Sequence, residues 1–170
     1  MSSPTAGSEP VSSDDPSQGP AKSYAVALSV ATAVVVADAL TKRWASRTFT
    51  AEPVDVLGEF LQFRFVENTG AAFSMFQGAG AFFGIAAIVV IAFLLWTLRK
   101  PHSGWETVGL GLVMGGAAGN LVDRIFRGPG FLDGPVIDWI NLWVIPTFNI
   151  ADASISVAVV LLLVGSWISR

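Results

Sequence analysis

Residues 79–98 read AGAFFGIAAIVVIAFLLWTL, twenty positions without one ionisable or strongly polar side chain. A helix rises about 1.5 Å per residue, so this stretch covers the roughly 30 Å of a bilayer's hydrocarbon. Three more apolar segments, residues 24–40, 107–122 and 150–168, fall near the same length and predict four membrane helices. Composition agrees, with 52% hydrophobic and 14% charged residues and a mean hydropathy of +0.60; a soluble domain carries about 25% charged residues.

Several chemistries are excluded at once. The chain has no cysteine and a single histidine, His102, so disulfides, thiol nucleophiles, iron–sulfur clusters and ordinary zinc sites are not expected. No metal and no cofactor is called for. A net charge of −3 with scattered Lys and Arg offers no field for nucleic acid. Residues 1–20, rich in Ser and Pro with three acids, have nothing apolar enough to pack and are expected to be a disordered tail ahead of a 21–170 membrane domain. This start also lacks a basic region followed by an apolar core, so the first hydrophobic segment is expected to stay in the protein.

With four spans the chain alternates sides. The end of the first segment, the end of the third and the start of the fourth then share one membrane face, together with the long connections 41–78 and 125–148. Polar residues gather at those ends. In the first connection Leu61, Phe63 and Phe65 alternate with Gln62 and Arg64, the period of a strand with one apolar face; Asn68, Thr69 and Gly70 read as a turn. A small sheet on the membrane surface is expected. Gly111, Gly115 and Gly119 repeat every four residues and let a neighbouring backbone approach the third helix, which is expected to be central. Trp44, Trp105, Trp139, Trp143 and Trp167 sit near segment ends and read as interfacial anchors. His102 has no partner nearby in sequence and no expected role.

Carboxylates in or beside a membrane need a partner, water or a function. Asp38 and Lys42 stand at i and i+4, Asn120, Asp123 and Arg124 at i, i+3 and i+4, and Asn149 precedes Asp152 at the start of the last segment. Asp138 is a further acid on the same face, in the apolar setting Val136-Ile137-Asp138-Trp139. Two acids meeting there suit an acid and base sharing a proton. From residues alone three classes stay open: an aspartic hydrolase, a small proton-coupled transporter, and a structural protein with buried ion pairs.

The ordered strings separate them. Asp38-Ala39-Leu40-Thr41-Lys42, Glu67-Asn68-Thr69-Gly70-Ala71-Ala72-Phe73-Ser74, Gly119-Asn120-Leu121-Val122-Asp123-Arg124, Val136-Ile137-Asp138 and Phe148-Asn149-Ile150-Ala151-Asp152 closely resemble lipoprotein signal peptidase, or signal peptidase II. The resemblance runs from about Tyr24 to the C-terminus. It implies an all-α membrane protein of four transmembrane helices with a small β-sheet on the outer membrane surface. The implied activity is an aspartic endopeptidase of the bacterial inner membrane, cutting prolipoproteins just before a cysteine that carries a diacylglyceryl group, in contact with membrane lipids.

The resemblance also implies Asp138 and Asp152 as the catalytic pair, with supporting or substrate-binding roles for Asp38, Lys42, Asn68, Gly70, Asn120, Asp123, Arg124 and Asn149. The segment between Arg127 and Pro135 is longer than in many members and carries another acid, Asp133. The family pattern places both termini in the cytoplasm and the site toward the outer face. A plain count of bases gives four inside and six outside in that orientation, and favours the reverse; with Lys42 and Arg124 engaged in the site the count is even.

Overall fold

The computed structural model describes residues 19–70, 79–128 and 130–168. Four long helices, α1 (Pro20–Thr48), α2 (Gly80–Thr97), α3 (Gly104–Phe126) and α4 (Ile150–Ile168), are joined by strands β1 (Val54–Asp55), β2 (Leu61–Asn68), β3 (Val136–Leu142) and β4 (Ile145–Phe148). The expected tail lies outside the described residues up to position 18, and Pro20 already opens α1. Proline suits that place, because the first helical N–H has no intrahelical acceptor. α1 runs well past both ends of the apolar segment 24–40. At 29 residues it is about 44 Å long, more than the hydrocarbon needs.

α1, α2 and α4 are long and apolar enough to cross a membrane by length and composition. Their outer faces carry Leu40, Phe82, Val89, Phe93, Val160 and Leu163 in the open. An apolar surface of that extent suits lipid rather than water. α3 is the exception. It carries Glu106, Asp123 and Arg124, and starts with a capping box in which the Ser103 side chain accepts from the Glu106 N–H while Glu106 accepts from the Ser103 N–H at 2.8 Å.

α3 packs against all three other helices, as its glycine spacing predicts. A Cβ at Gly115 would stand 2.9 Å from the Ala31 carbonyl oxygen of α1, and one at Gly119 would stand 2.8 Å from Asp38 Oδ2. Only glycine permits both approaches. Ala27 and Ala31 of α1, Leu94 and Leu98 near the end of α2, and Met114 of α3 form a buried core between these helices.

The sheet is antiparallel in the order β1-β2-β3-β4. β2 is longer than the alternating stretch suggests: Asn68, expected in a turn, is its last residue and pairs with Val136. The register shifts between Phe63 and Val66, so that Val66 faces Asp138. β3 and β4 occupy what reads in sequence as a connection. Trp139 also departs from expectation: it is buried, packed edge-on against Trp44 and Phe63 with ring centroids 5.4 and 5.1 Å away, and so is not an interfacial anchor. This aromatic group, with Phe49, fixes the sheet to the end of α1.

Candidate active site

The polar ends of α1, α3 and α4 meet beneath β3, and the sheet contributes Asp138 and Asn68. Asn149, the residue before α4, sets the geometry. Its Oδ1 accepts the Asp152 N–H at 2.9 Å while Asp152 Oδ2 accepts the Asn149 N–H at 3.4 Å, a reciprocal cap on the first turn. With its oxygen committed, Asn149 Nδ2 points the other way and donates to Asp138 Oδ1 at 2.7 Å. Asn68 is oriented by the same logic. Its Oδ1 accepts the Gly70 N–H at 3.1 Å, leaving Nδ2 to donate to Asp138 Oδ2 at 2.9 Å. Asn120 Nδ2 donates to Asp152 Oδ1 at 2.8 Å.

Asp138 and Asp152 line one cavity of about 560 Å³. Its polar end includes Asn68, Asn120 and Arg124, and its walls are apolar, with Phe83 and Val90 of α2 and Ile155 of α4. Asp138 is 2% exposed. Burial pushes its carboxyl up to about 7; the neighbouring charge of Asp152 acts in the same direction, and the amides of Asn68 and Asn149 and the charge of Lys42 pull back. A carboxyl held near neutrality beside a second one can give or take a proton at working pH.

Arg124 also borders the cavity. Its guanidinium donates to the Gly70 carbonyl at 3.2 Å and reaches the Gly134 carbonyl at 3.5 Å, lying 5.5 Å from the Phe83 ring centroid. Gly70 thus offers its N–H to Asn68 and its carbonyl to Arg124.

The remaining expected residues form a second layer behind the pair. Lys42, 1% exposed, bridges Asp38 Oδ2 at 2.6 Å and Asp123 Oδ2 at 2.9 Å, and donates to Asn120 Oδ1 at 3.0 Å. Asp38 also accepts the Ala151 N–H at 3.0 Å, which ties α1 to the first turn of α4. Asp123 accepts the Ile137 N–H at 3.1 Å, which ties α3 to β3 beside Asp138. Asp123 therefore stands behind the cavity rather than in it. Asp133 is exposed in its loop, caps the Gly130 N–H at 3.1 Å and does not border the cavity.

Two contributors are absent from the sequence reading. Arg127, the other cation on Asp123 at 2.5 Å, stands at i+4 from it, a spacing visible in sequence. β4 supplies Pro146, Thr147 and Phe148 to the cavity rim, and Thr147 accepts from Arg64 Nε at 2.9 Å. No local pattern announces that strand.

A family model described as Signal peptidase (SPase) II matches residues 30–168. Among relatives named lipoprotein signal peptidase, that of Mycobacterium avium is 40% identical over 159 residues, covering 93% of this chain and 87% of the relative. That of Caldicellulosiruptor bescii is 42% identical, covering 75% and 81%. The Mycolicibacterium smegmatis protein is 42% identical over 74% of this chain but only 54% of its own length, so this chain spans about half of that relative.

Two solved structures are similar throughout. One, a bacterial membrane enzyme solved by the in meso method at 2.3 Å resolution, has a TM-score of 0.75 and 28% identity, covering 84% of this chain and 88% of that one. The other, solved by the same method at 1.9 Å, has a TM-score of 0.71 and 29% identity, covering 83% and 92%. Three lipid-length apolar helices and these neighbours make the chain a membrane protein. The matched span begins within α1 and runs to the end of α4, taking in the asparagine-oriented carboxylates and the charged layer behind them, and on that extent the chain belongs to the signal peptidase II family.

Proposed function

We propose that this protein is an aspartic endopeptidase that removes the signal peptide from prolipoproteins, cutting just before a diacylglyceryl-modified cysteine. The observation that carries the reading is the placement of Asp138 and Asp152 at the polar end of one cavity whose remaining walls are mostly apolar. Such a cavity suits an extended peptide that arrives at the membrane boundary attached to acyl chains. One carboxylate takes a proton from water as its oxygen attacks the scissile carbonyl. The other carboxyl protonates the carbonyl oxygen; the first then passes its new proton to the leaving amine as the C–N bond breaks, and the second recovers a proton from a hydroxyl of the tetrahedral intermediate. The products are the signal peptide's new carboxyl end and a free amine on the lipidated cysteine.

In this reading α3 is the fourth span. Its charged residues stand at its ends, and the other helices shield its middle. The sheet lies on the outer surface of the bacterial inner membrane with both termini in the cytoplasm. Residues 21–170 carry the activity, and the first twenty are dispensable. Proton-coupled transport has no comparable support, because the buried charged groups collect at one end of the bundle and, among the described residues, no buried charge continues them through its depth.

The test is incubation of purified protein in detergent with a lipid-modified prolipoprotein and with its unmodified precursor. Mass spectrometry should find the shortened lipidated product and no cleavage of the unmodified one. Equal cleavage of both would contradict the substrate assignment, and cleavage of neither would contradict the activity.

A further inference from the structure

Lys42 makes no hydrogen bond to Asp138 or Asp152, yet its contact with Asn120 leads directly to Asp152. Its Nζ donates to Asn120 Oδ1 at 3.0 Å, and Asn120 Nδ2 donates to Asp152 Oδ1 at 2.8 Å. An amide has one acceptor end and one donor end. An ammonium on the oxygen therefore fixes which end faces Asp152, and polarises the N–H toward it. Asn149 Nδ2 reinforces that orientation by reaching the same Asn120 oxygen at 3.2 Å.

The two carboxyls are treated differently as a result. Asp138 receives only neutral amides, from Asn68 and Asn149, and is among the most enclosed side chains in the molecule. Asp152 receives an amide backed by a cation, and also lies in the first turn of α4, where helix N–H groups favour negative charge.

Resting on the peptidase reading above, we infer that Lys42 and Asn120 are positioning residues that hold Asp152 as the ionised base, leaving Asp138 as the proton donor. The charged groups around the two carboxyls come from several elements. α1 brings Asp38 and Lys42, which pair with each other; α3 brings Asp123, paired with Lys42 and Arg127, and Arg124; β3 brings Asp138; α2 brings no charge. Hydrogen bonds link Lys42 to Asp152 through Asn120, while the charges of Lys42 and Arg124 also act on Asp138.

Replacing Lys42 itself leaves Asp38 and Asp123 without their shared cation and endangers folding. Asn120 is the better lever. Asn120→Asp keeps the size and the acceptor for Lys42 but turns a carboxylate oxygen toward Asp152, while Asn120→Ala removes the link. In a cleavage assay across pH, Asn120→Ala should lower kcat about 10- to 100-fold with KM within about twofold, the scale of a lost outer-shell hydrogen-bond partner. The acidic limb of the profile should rise by about one pH unit, and further in Asn120→Asp, because each change disfavours the Asp152 carboxylate.

Infrared titration of the carboxyls in the same samples gives a readout that does not need turnover, and should differ between each variant and the wild type. An unmoved acidic limb and an unmoved infrared titration in folded variants would overturn the inference. So would failure of both variants to fold, since Asn120 would then be structural. If the wild-type protein cleaves nothing, the peptidase reading fails, while the infrared shift still decides the relay.

Discussion

At the scale of single residues, three asparagines do the arranging. Asn68, Asn120 and Asn149 each commit the side-chain oxygen to an N–H or ammonium donor and present Nδ2 to Asp138 or Asp152. The sequence spacing shows Asn149 with Asp152, and the resemblance supplies Asn68, but that Asn68 meets Asp138 across a strand pair is a tertiary fact. The pH dependence follows from the same contacts. Asp138's carboxyl is raised to about 7, so it keeps its proton below that pH and loses it above. If it donates the proton, kcat/KM should fall as pH rises through about 7, with a second limb at lower pH where the base is protonated. The two limbs belong to the coupled pair. A cleavage profile still rising at pH 9 would exclude Asp138 as the acid.

At the scale of elements, the helices were legible and half of the sheet was not. The four apolar segments give α1 to α4, and the glycine spacing marks α3 as central, because hydrophobicity and close approach are written locally. β2 shows its alternation. β3 does not: Val136, Ile137, Asp138 and Trp139 are all buried, since the strand is covered on both faces, and a strand covered that way has no period of two. The structural-ion-pair reading of Asp38 and Lys42 was available from i to i+4 spacing, whereas the convergence of Asp38 and Asp123 on that lysine required α1 and α3 to pack. Gly119 measures how tight that packing is. Gly119→Val should drive its side chain into Asp38 and Ala151, costing about 1–3 kcal/mol. A lower melting temperature in detergent, with loss of cleavage in step, is the expected outcome; an unchanged melting temperature would contradict the close approach.

At the scale of the whole molecule, the arrangement separates a lipid-facing exterior from a polar cluster at one end of the bundle. Length and composition establish α1, α2 and α4 as lipid-length helices, but orientation is a matter of charge, and the bases divide too evenly to decide it. The proposed topology predicts that a cysteine at Gly130 reacts with a membrane-impermeant thiol reagent applied outside the cell, and that one at Ser103 does not. The protein has no native cysteine to confuse the result. The reverse labelling would invert the protein in the membrane and remove the site from the outer face. The central claim, that Asp138 and Asp152 together perform the cleavage, is tested most directly by mass-spectrometric assay of purified Asp138→Asn and Asp152→Asn beside Asp133→Asn. Asparagine preserves size and polarity but takes no part in proton transfer, so each of the first two should lose at least about 10²-fold in rate while remaining folded, and Asp133→Asn should cleave as the wild type does. Normal cleavage by Asp138→Asn or Asp152→Asn, or a folded but inactive Asp133→Asn, would contradict the account.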